Sequence, residues 1–217
     1  MNLMLIGAQG SGKGTQSALL AQKFGLVPCA SGELLLKAIE EGSPLGELAK
    51  PYYMQGALVP DDVIIGLILD RITSLSGSQG FILDGFPRNL TQAQALDARL
   101  DQIGQSIERV IYLEVPLPTL LERLSGRYIC RAHGHPYNIK MNPPRKRPGF
   151  CDIDDSELIQ RPDDTESAIE RRLGIFFRDT LPQLESHYKP LGKWITVDGT
   201  QSIEDVNRDI LAKLAGG

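Results

Sequence analysis

The sequence LMLIGAQGSGKGT, residues 3–15, passes from apolar to glycine-rich to cationic. LMLIGA is a short apolar run that stops at a turn residue, which suits a buried strand. From Lys13 to Phe24 the apolar residues Ala18, Leu19, Ala21 and Phe24 recur among polar ones, the pattern of a helix. Between them lies GAQGSGKGT (7–15). Gly7, Gly10 and Gly12 let the backbone turn so that its N–H groups face inward and cradle an anion. The helix N-terminus adds its dipole, and Lys13 adds a mobile positive charge for β- and γ-phosphates. A strict phosphate-loop pattern puts Ser or Thr directly after the lysine. Here Gly14 stands there and Thr15 follows. A dinucleotide loop fits less well. GAQGSG does not match G-x-G-x-x-G, and the second strand leads into Ser31-Gly32-Glu33 rather than closing on an acidic residue.

Outward from the loop, LVPCAS (26–31), GFILD (80–84), IERVIYLEV (107–115) and WITVD (194–198) are the further strands. Cys29 in the first of these reads as an inert core residue. Residues 32–41, 45–55, 60–74, 90–103, 117–126, 163–188 and 202–214 carry helical patterns, with Asp163 as the expected cap of the long one and Glu166 three residues on. Short apolar strands alternating with helices predict an α/β protein whose parallel sheet is covered on both faces. Residues 128–160 break the pattern, being rich in Pro, Gly, Asp and basic residues. A structureless stretch of that length is uncommon in a compact domain, so a small insert or lid is expected.

Asp84 ends a strand, where an aspartate beside a phosphate loop can hold Mg²⁺ or its water shell. A turn-capping role before Gly85 is the plainer alternative. Arg88 follows a rigid Gly-Phe-Pro spacer at the strand edge where ligands sit in parallel sheets. Arg123 and Arg127, four apart, share one helical face. Arg161 and Arg172, or Arg171 beside it, lie beyond the insert, so two arginine pairs flank it. Arginine forks hold phosphate oxygens in pairs and offset the charge that a phosphoryl donor and acceptor bring together. Salt bridges to Asp163, Asp164, Glu166 and Glu170 would be the ordinary use of such arginines. No Ser–His–Asp set is visible with three histidines, which fits phosphoryl transfer by positioning and electrostatics.

The insert holds Cys130-x-x-His133 and Cys151-x-x-Asp154. Two such pairs joined by a loop form a knuckle, and Cys, His and Asp all ligate zinc. His135 and Asp152 compete for places but break the symmetric spacing. A polar hydrogen-bonded cluster is the other reading.

The chain has 217 residues, 41% of them hydrophobic, and a net charge of −4. One domain with an insert and a sizeable core is expected. The charge argues against a nucleic-acid binder, and the run Arg145-Lys146-Arg147 reads as solvated surface. No basic n-region, cleavage site or membrane-length apolar run stands out, and three cysteines make no disulfide framework. A cytoplasmic protein without membrane contact is expected.

GAQGSGKGTQ (7–16), SGELL (31–35), GALVPDD (56–62), DGFPRNLTQAQAL (84–96), LLERLSGR (120–127), YNIKMNPP (137–144), RPDDTESAIERRL (161–173) and VDGT (197–200) together resemble the adenylate kinases with a long lid. The resemblance spans essentially the whole length. It implies a P-loop NTPase fold with a five-stranded parallel sheet. A CORE would comprise 1–30, 61–126 and 161–217, with an AMP-binding helical domain at 31–60 and a LID at 127–160. The reaction it implies is Mg²⁺-dependent interconversion of ATP and AMP with two ADP. Gly10, Ser11, Gly12, Lys13, Gly14, Thr15, Arg123 and Arg127 would bind ATP. Ser31, Gly32, Leu36, Val59, Gly85, Arg88, Gln92, Arg161 and Arg172 would bind AMP, Gln92 reading the adenine edge. Lys13, Arg88, Arg123, Arg161 and Arg172 would be catalytic, and Asp84 would organise magnesium. Cys130, His133, Cys151 and Asp154 would staple the lid around a structural zinc, for which iron or cobalt could substitute. A monomer is the family expectation.

Three departures stand out. Ser31 replaces the usual threonine, and Glu33 the usual aspartate. Leu36 stands where relatives carry an arginine for the AMP phosphate, with Lys37 about 100° further round the helix. The Leu36 departure leaves a different nucleoside monophosphate acceptor as the nearest rival. A nucleotide-binding module without transferase activity is a further one.

Overall fold

A computed structural model describes residues 1–54, 59–75, 79–160 and 165–216. Its strands are β1 (Leu3–Ile6), β2 (Val27–Ala30), β3 (Phe81–Asp84), β4 (Arg109–Glu114), β5 (Arg127–Cys130), β6 (Pro136–Asn138), β7 (Leu158–Ile159) and β8 (Trp194–Asp198). Its α-helices are α1 (Lys13–Phe24), α2 (Ser31–Glu40), α3 (Pro44–Met54), α4 (Asp61–Thr73), α5 (Leu90–Gln102), α6 (Leu117–Ser125), α7 (Glu166–Ile175), α8 (Leu181–Tyr188) and α9 (Ile203–Ala215).

Five strands form one sheet in the order β2-β3-β1-β4-β8. All its pairings are parallel, with Leu5 beside both Asp84 and Ile111. The expected α/β fold with a five-stranded parallel sheet is therefore present. β1 lies in the middle, and each of its residues is buried, as a strand covered on both faces must be. Alternation sends Met4 and Ile6 to one face, where they meet Ile68, Ile72, Leu96, Leu100, Leu184 and Tyr188 of α4, α5 and α8. Leu3 and Leu5 go to the other face, against Leu20 and Ala21 of α1 and Val206 and Ile210 of α9. Each fully buried aliphatic side chain contributes about 1.5–3 kcal/mol, so these two layers hold the sheet. Pro28 sits in β2, an outer strand of the sheet, where a missing N–H is tolerated.

Because all five strands run the same way, their C-terminal ends share one edge of the sheet. The glycine loop after β1, Ser31 after β2, Asp84 at the end of β3 and Asp198 at the end of β8 all emerge there. Beneath the loop, Ala8 and Val115 pack with Leu120 and Leu124 of α6 and Ile169 and Leu173 of α7. That small cluster ties the arginine-bearing helices to the loop.

The insert is not structureless. β5 pairs antiparallel with both β6 and β7, making a second, three-stranded sheet. Its small core is Cys130, Cys151 and Leu158, with Tyr128 and Tyr137 against them. The helical stretch expected at 163–188 is interrupted by a π-helical turn at Phe176–Thr180 between α7 and α8. Its cap is Thr165, whose hydroxyl accepts from the Ala168 N–H at 3.4 Å. Asp163, the expected cap, lies outside the described residues.

Candidate active site

Lys13 opens α1, and its Nζ donates to the Ala8 carbonyl at 3.1 Å. The loop depends on its glycines. Gly10 has φ +86°, and a Cβ there would lie 3.0 Å from Leu124 Cγ. At Gly7 a Cβ would strike the Ser11 hydroxyl. Ser11 is buried, and among the described residues its Oγ is a buried side-chain polar atom without a hydrogen-bond partner. A buried hydroxyl of that kind inside an anion cradle suits a ligand oxygen. Thr15 follows in the first turn of α1.

Around the loop the cations converge. Burial pushes the Lys13 ammonium below the ordinary lysine range, Asp84 opposes this, and Arg88 and Arg127 add to it. Arg88 is lowered by desolvation and then by Arg172, again against Asp84. Desolvation also lowers Arg123, against the pull of Asp198 and Glu122. Its guanidinium makes long contacts of 3.5 Å to the carbonyls of Gly10 and Thr200. Arg172 donates to the Gln9 side chain at 3.3 Å. Lys13, Arg88, Arg123, Arg127 and Arg172, scattered through the sequence, thus meet at one sheet edge. Positive groups that repel one another in a cleft are relieved by a polyanion. Asp84 is the acidic counterpart, its Oδ2 lying 3.9 Å from where a Cβ on Gly14 would stand. A carboxylate oxygen beside a phosphate cradle is the donor type that Mg²⁺ takes. Arg161 lies outside the described residues.

A second group lies along β2 and β3. The Ser31 hydroxyl donates to the Gly85 carbonyl at 3.0 Å, and Arg88 Nε donates to the same carbonyl at 2.8 Å. Gly85 has φ +75°, and a Cβ there would sit 3.1 Å from Ser31 Oγ. Gly32 follows Ser31 in the first turn of α2, and Leu36 lies further along that helix, 40% exposed. Val59 is half-buried just ahead of α4. Gln92 is buried, and its side-chain amide is held at both ends by Asp61 and the Arg88 backbone. Asp61 was not legible as a site residue, because its partners lie 28 and 31 positions away.

In the insert, Cys130, His135, Cys151 and Asp154 bring one ligand atom each within 4.8 Å of one another. The spacing pointed to His133, but the structure groups His135 instead. Gly134 takes φ +70° and turns the chain, after which the His135 N–H meets Cys130 Sγ at 3.2 Å. The His135 side chain is 31% exposed, against 66% for His133. His135 Nδ1 lies 3.2 Å from Cys130 Sγ, 3.4 Å from Cys151 Sγ and 3.2 Å from Asp154 Oδ2. Cys130 Sγ lies 3.4 Å from the same carboxylate oxygen. Tetrahedral zinc with ordinary bond lengths separates its ligands by roughly 3.3–3.8 Å. His133 Nδ1 instead meets Asp154 Oδ2 at hydrogen-bonding distance, 2.8 Å. The Ser156 hydroxyl first, and His133 next, hold the Asp154 carboxyl far below the usual carboxylate range. Tyr137 OH donates to Cys151 Sγ at 3.5 Å, and the Ile153 N–H donates to it at 3.4 Å. Two thiols, an imidazole and a carboxylate wrapped in donors match what a structural zinc requires. Asp152 is occupied elsewhere, accepting from the Arg145 and Lys146 N–H groups.

A phosphate loop after the central strand of such a sheet, ringed by mutually repelling cations, defines a P-loop nucleotide-binding α/β protein. Comparison with known proteins narrows the class. A family model described as adenylate kinase matches residues 5–193. The adenylate kinase of Clostridium botulinum (strain Loch Maree / Type A3) is 44% identical over 206 residues, covering 95% of this chain and 94% of the relative. That of Bacillus subtilis (strain 168) is 42% identical over 216 residues, covering 100% and 99%. That of Gloeobacter violaceus (strain ATCC 29082 / PCC 7421) is 44% identical over 211 residues, covering 96% of each. The chain belongs to the adenylate kinase family and is a nucleoside monophosphate phosphotransferase. Among the described residues no helix is long and apolar enough to cross a membrane.

Proposed function

We propose that this chain reversibly transfers the terminal phosphoryl group of ATP to AMP, giving two ADP. The observation that carries this reading is the meeting of Lys13, Arg88, Arg127 and Arg172 with Asp84 at the ends of β1 and β3. ATP phosphates would lie in the loop from Gly10 to Thr15, with Lys13 leaving the Ala8 carbonyl for the phosphate oxygens. Arg123 and Arg127 would reach them from the foot of the insert. Arg88, Arg172 and Arg161 would hold the AMP phosphate and the group in transit. Fixed cations stabilise charge spread over the transferred phosphoryl group without reorganising during the reaction. Asp84, with Thr15 beside the loop, would hold Mg²⁺, which when bound neutralises phosphate charge.

AMP would sit along Ser31, Gly32, Leu36, Val59, Gly85 and Gln92. The helical segment 31–60 would form its domain and 127–160 the lid, hinged on the CORE. In support, the insert has a sheet and a small core of its own. Its closure would exclude water, so that phosphate passes to AMP rather than to solvent. The lid would be stapled by zinc on Cys130, Cys151, Asp154 and a histidine, His135 in place of His133, with iron or cobalt able to substitute. A monomer working in the cytoplasm without nucleic acid completes the reading.

Turnover of AMP, UMP, CMP and GMP with ATP as donor tests it. AMP is expected to be the preferred acceptor by kcat/KM. A higher value for another nucleotide would replace AMP as the substrate, and no turnover of any would leave a binding module.

A further inference from the structure

We infer that Asp61 is a positioning residue for base specificity, because its carboxylate fixes the orientation of the Gln92 amide. The inference rests on the reading of Gln92 as the adenine contact. A glutamine amide presents a carbonyl oxygen at one end and an NH₂ at the other, and a flip about its last bond exchanges them. Alone it therefore reads a donor–acceptor edge equally well in either order. Adenine offers an amino donor beside the N1 acceptor, and guanine offers the O6 acceptor beside an N1–H donor. Discrimination between them needs an amide that cannot flip.

Both ends of Gln92 are fixed. Nε2 donates to Asp61 Oδ1 at 2.6 Å. Oε1 accepts the Arg88 backbone N–H at 2.7 Å. A carboxylate only accepts and a backbone N–H only donates, so one orientation satisfies both. Flipping would set the carbonyl oxygen against the carboxylate and the NH₂ against the N–H. Asp61 is itself tied down. Its Oδ2 accepts from Asn89 Nδ2 at 3.1 Å, and Asn89 Oδ1 accepts the Gln92 N–H at 2.7 Å as the cap of α5. Asp61 also opens α4, where a negative charge is favoured by the helix dipole. The amide keeps one hydrogen and one lone pair for a base, in a fixed order.

The test compares kcat/KM for AMP and GMP in the full chain and in Asp61→Asn, Asp61→Ala and Gln92→Leu, with thermal melting alongside. Asparagine is the informative replacement. It hydrogen-bonds Gln92 in either orientation, so it keeps the packing but removes the carboxylate's half of the constraint, leaving the Arg88 N–H alone against the flip. The AMP-to-GMP ratio is expected to fall about 5–100-fold in Asp61→Asn, the range one correctly ordered pair of base contacts supplies. KM for AMP should rise more than kcat falls. Asp61→Ala should lower the ratio as well, and if it does not fold the asparagine variant decides. A folded Asp61→Asn whose ratio stays within about twofold of the parent overturns the inference and leaves Asp61 a structural residue. A Gln92→Leu ratio equal to the parent's overturns instead the reading of Gln92 as the base contact, and the inference with it.

Discussion

Lys13 Nζ and the Ala8 carbonyl oxygen stand 3.1 Å apart, so the lysine of the phosphate loop closes the loop on itself. The ammonium is desolvated and pressed by Arg88 and Arg127, with Asp84 opposing them. A phosphate oxygen would give it a stronger partner than a neutral carbonyl. Lys13→Ala is expected to lower kcat/KM for ATP by about 10²–10³-fold, the loss typical of one preorganised charge donor. Steady-state kinetics with ATP varied at saturating AMP check it, and a melting curve confirms that the loop still folds. Less than a tenfold loss would move the main phosphate contact elsewhere.

Leu36 lies on α2, part exposed, and Lys37 one position on pairs with Glu41 at 3.7 Å. The charge next in line thus has a partner at the end of its own helix. Leu36→Arg should lower KM for AMP severalfold, with KM for ATP unchanged. An exposed residue carries little of the core, so the melting temperature should stay within a degree or two. An unchanged or higher AMP KM would show that the cleft already supplies that charge.

Much of this was legible in sequence because it is local. LMLIGA, GFILD and WITVD are apolar runs closed by turn residues, and they became β1, β3 and β8, the first ending two residues earlier and the second starting one residue later than expected. GKGT placed the start of α1 for the same reason. The features that escaped depend on the chain returning to itself. The small sheet uses strands of two to four residues, one beginning with proline, too short for any period to register. Asp61 gains meaning only once α4 and α5 lie side by side. His135 supplants His133 because one left-handed glycine, Gly134, turns the chain between them. The cap at Thr165 and the π turn at Phe176–Thr180 are shifts in hydrogen bonding inside a continuous helical pattern, which side-chain periodicity does not record.

Cys29 is fully buried in β2, and burial raises its thiol to about 11 from the usual 9.0. The core accepts the neutral thiol. Its contribution to stability is therefore whole below pH 9 and is lost as pH rises through about 11. At pH 8 only about a thousandth of it is thiolate, the reactive form. Iodoacetamide at pH 8 should leave Cys29 unmodified in the native chain and alkylate it in denaturant, as peptide mass mapping would read. Rapid labelling under native conditions would show that β2 opens locally.

Cys130, His135, Cys151 and Asp154 form four corners of a site, and four of the six separations between them measure 3.2–3.4 Å. The His133 side chain meets that site at Asp154, and its backbone N–H donates to Cys130 Sγ at 3.4 Å. Cobalt(II) distinguishes a ligand from a neighbour, because each bound thiolate adds sulfur-to-metal absorption in the near ultraviolet. His135→Cys should therefore raise that band from a two-thiolate to a three-thiolate intensity at one equivalent of cobalt. His133→Cys should leave it at the parent's value. His133→Ala, which frees one side of Asp154, should keep one equivalent of metal but weaken its hold about 10–100-fold against a chelator, the usual consequence of losing an outer partner. Stripping the metal from the parent should lower its melting temperature, since the staple binds the folded insert and not the unfolded one. A third-thiolate band in His133→Cys and not in His135→Cys would return the corner to His133. A parent purified without chelator that carries less than a tenth of an equivalent of metal would instead leave the four residues as a hydrogen-bonded polar cluster.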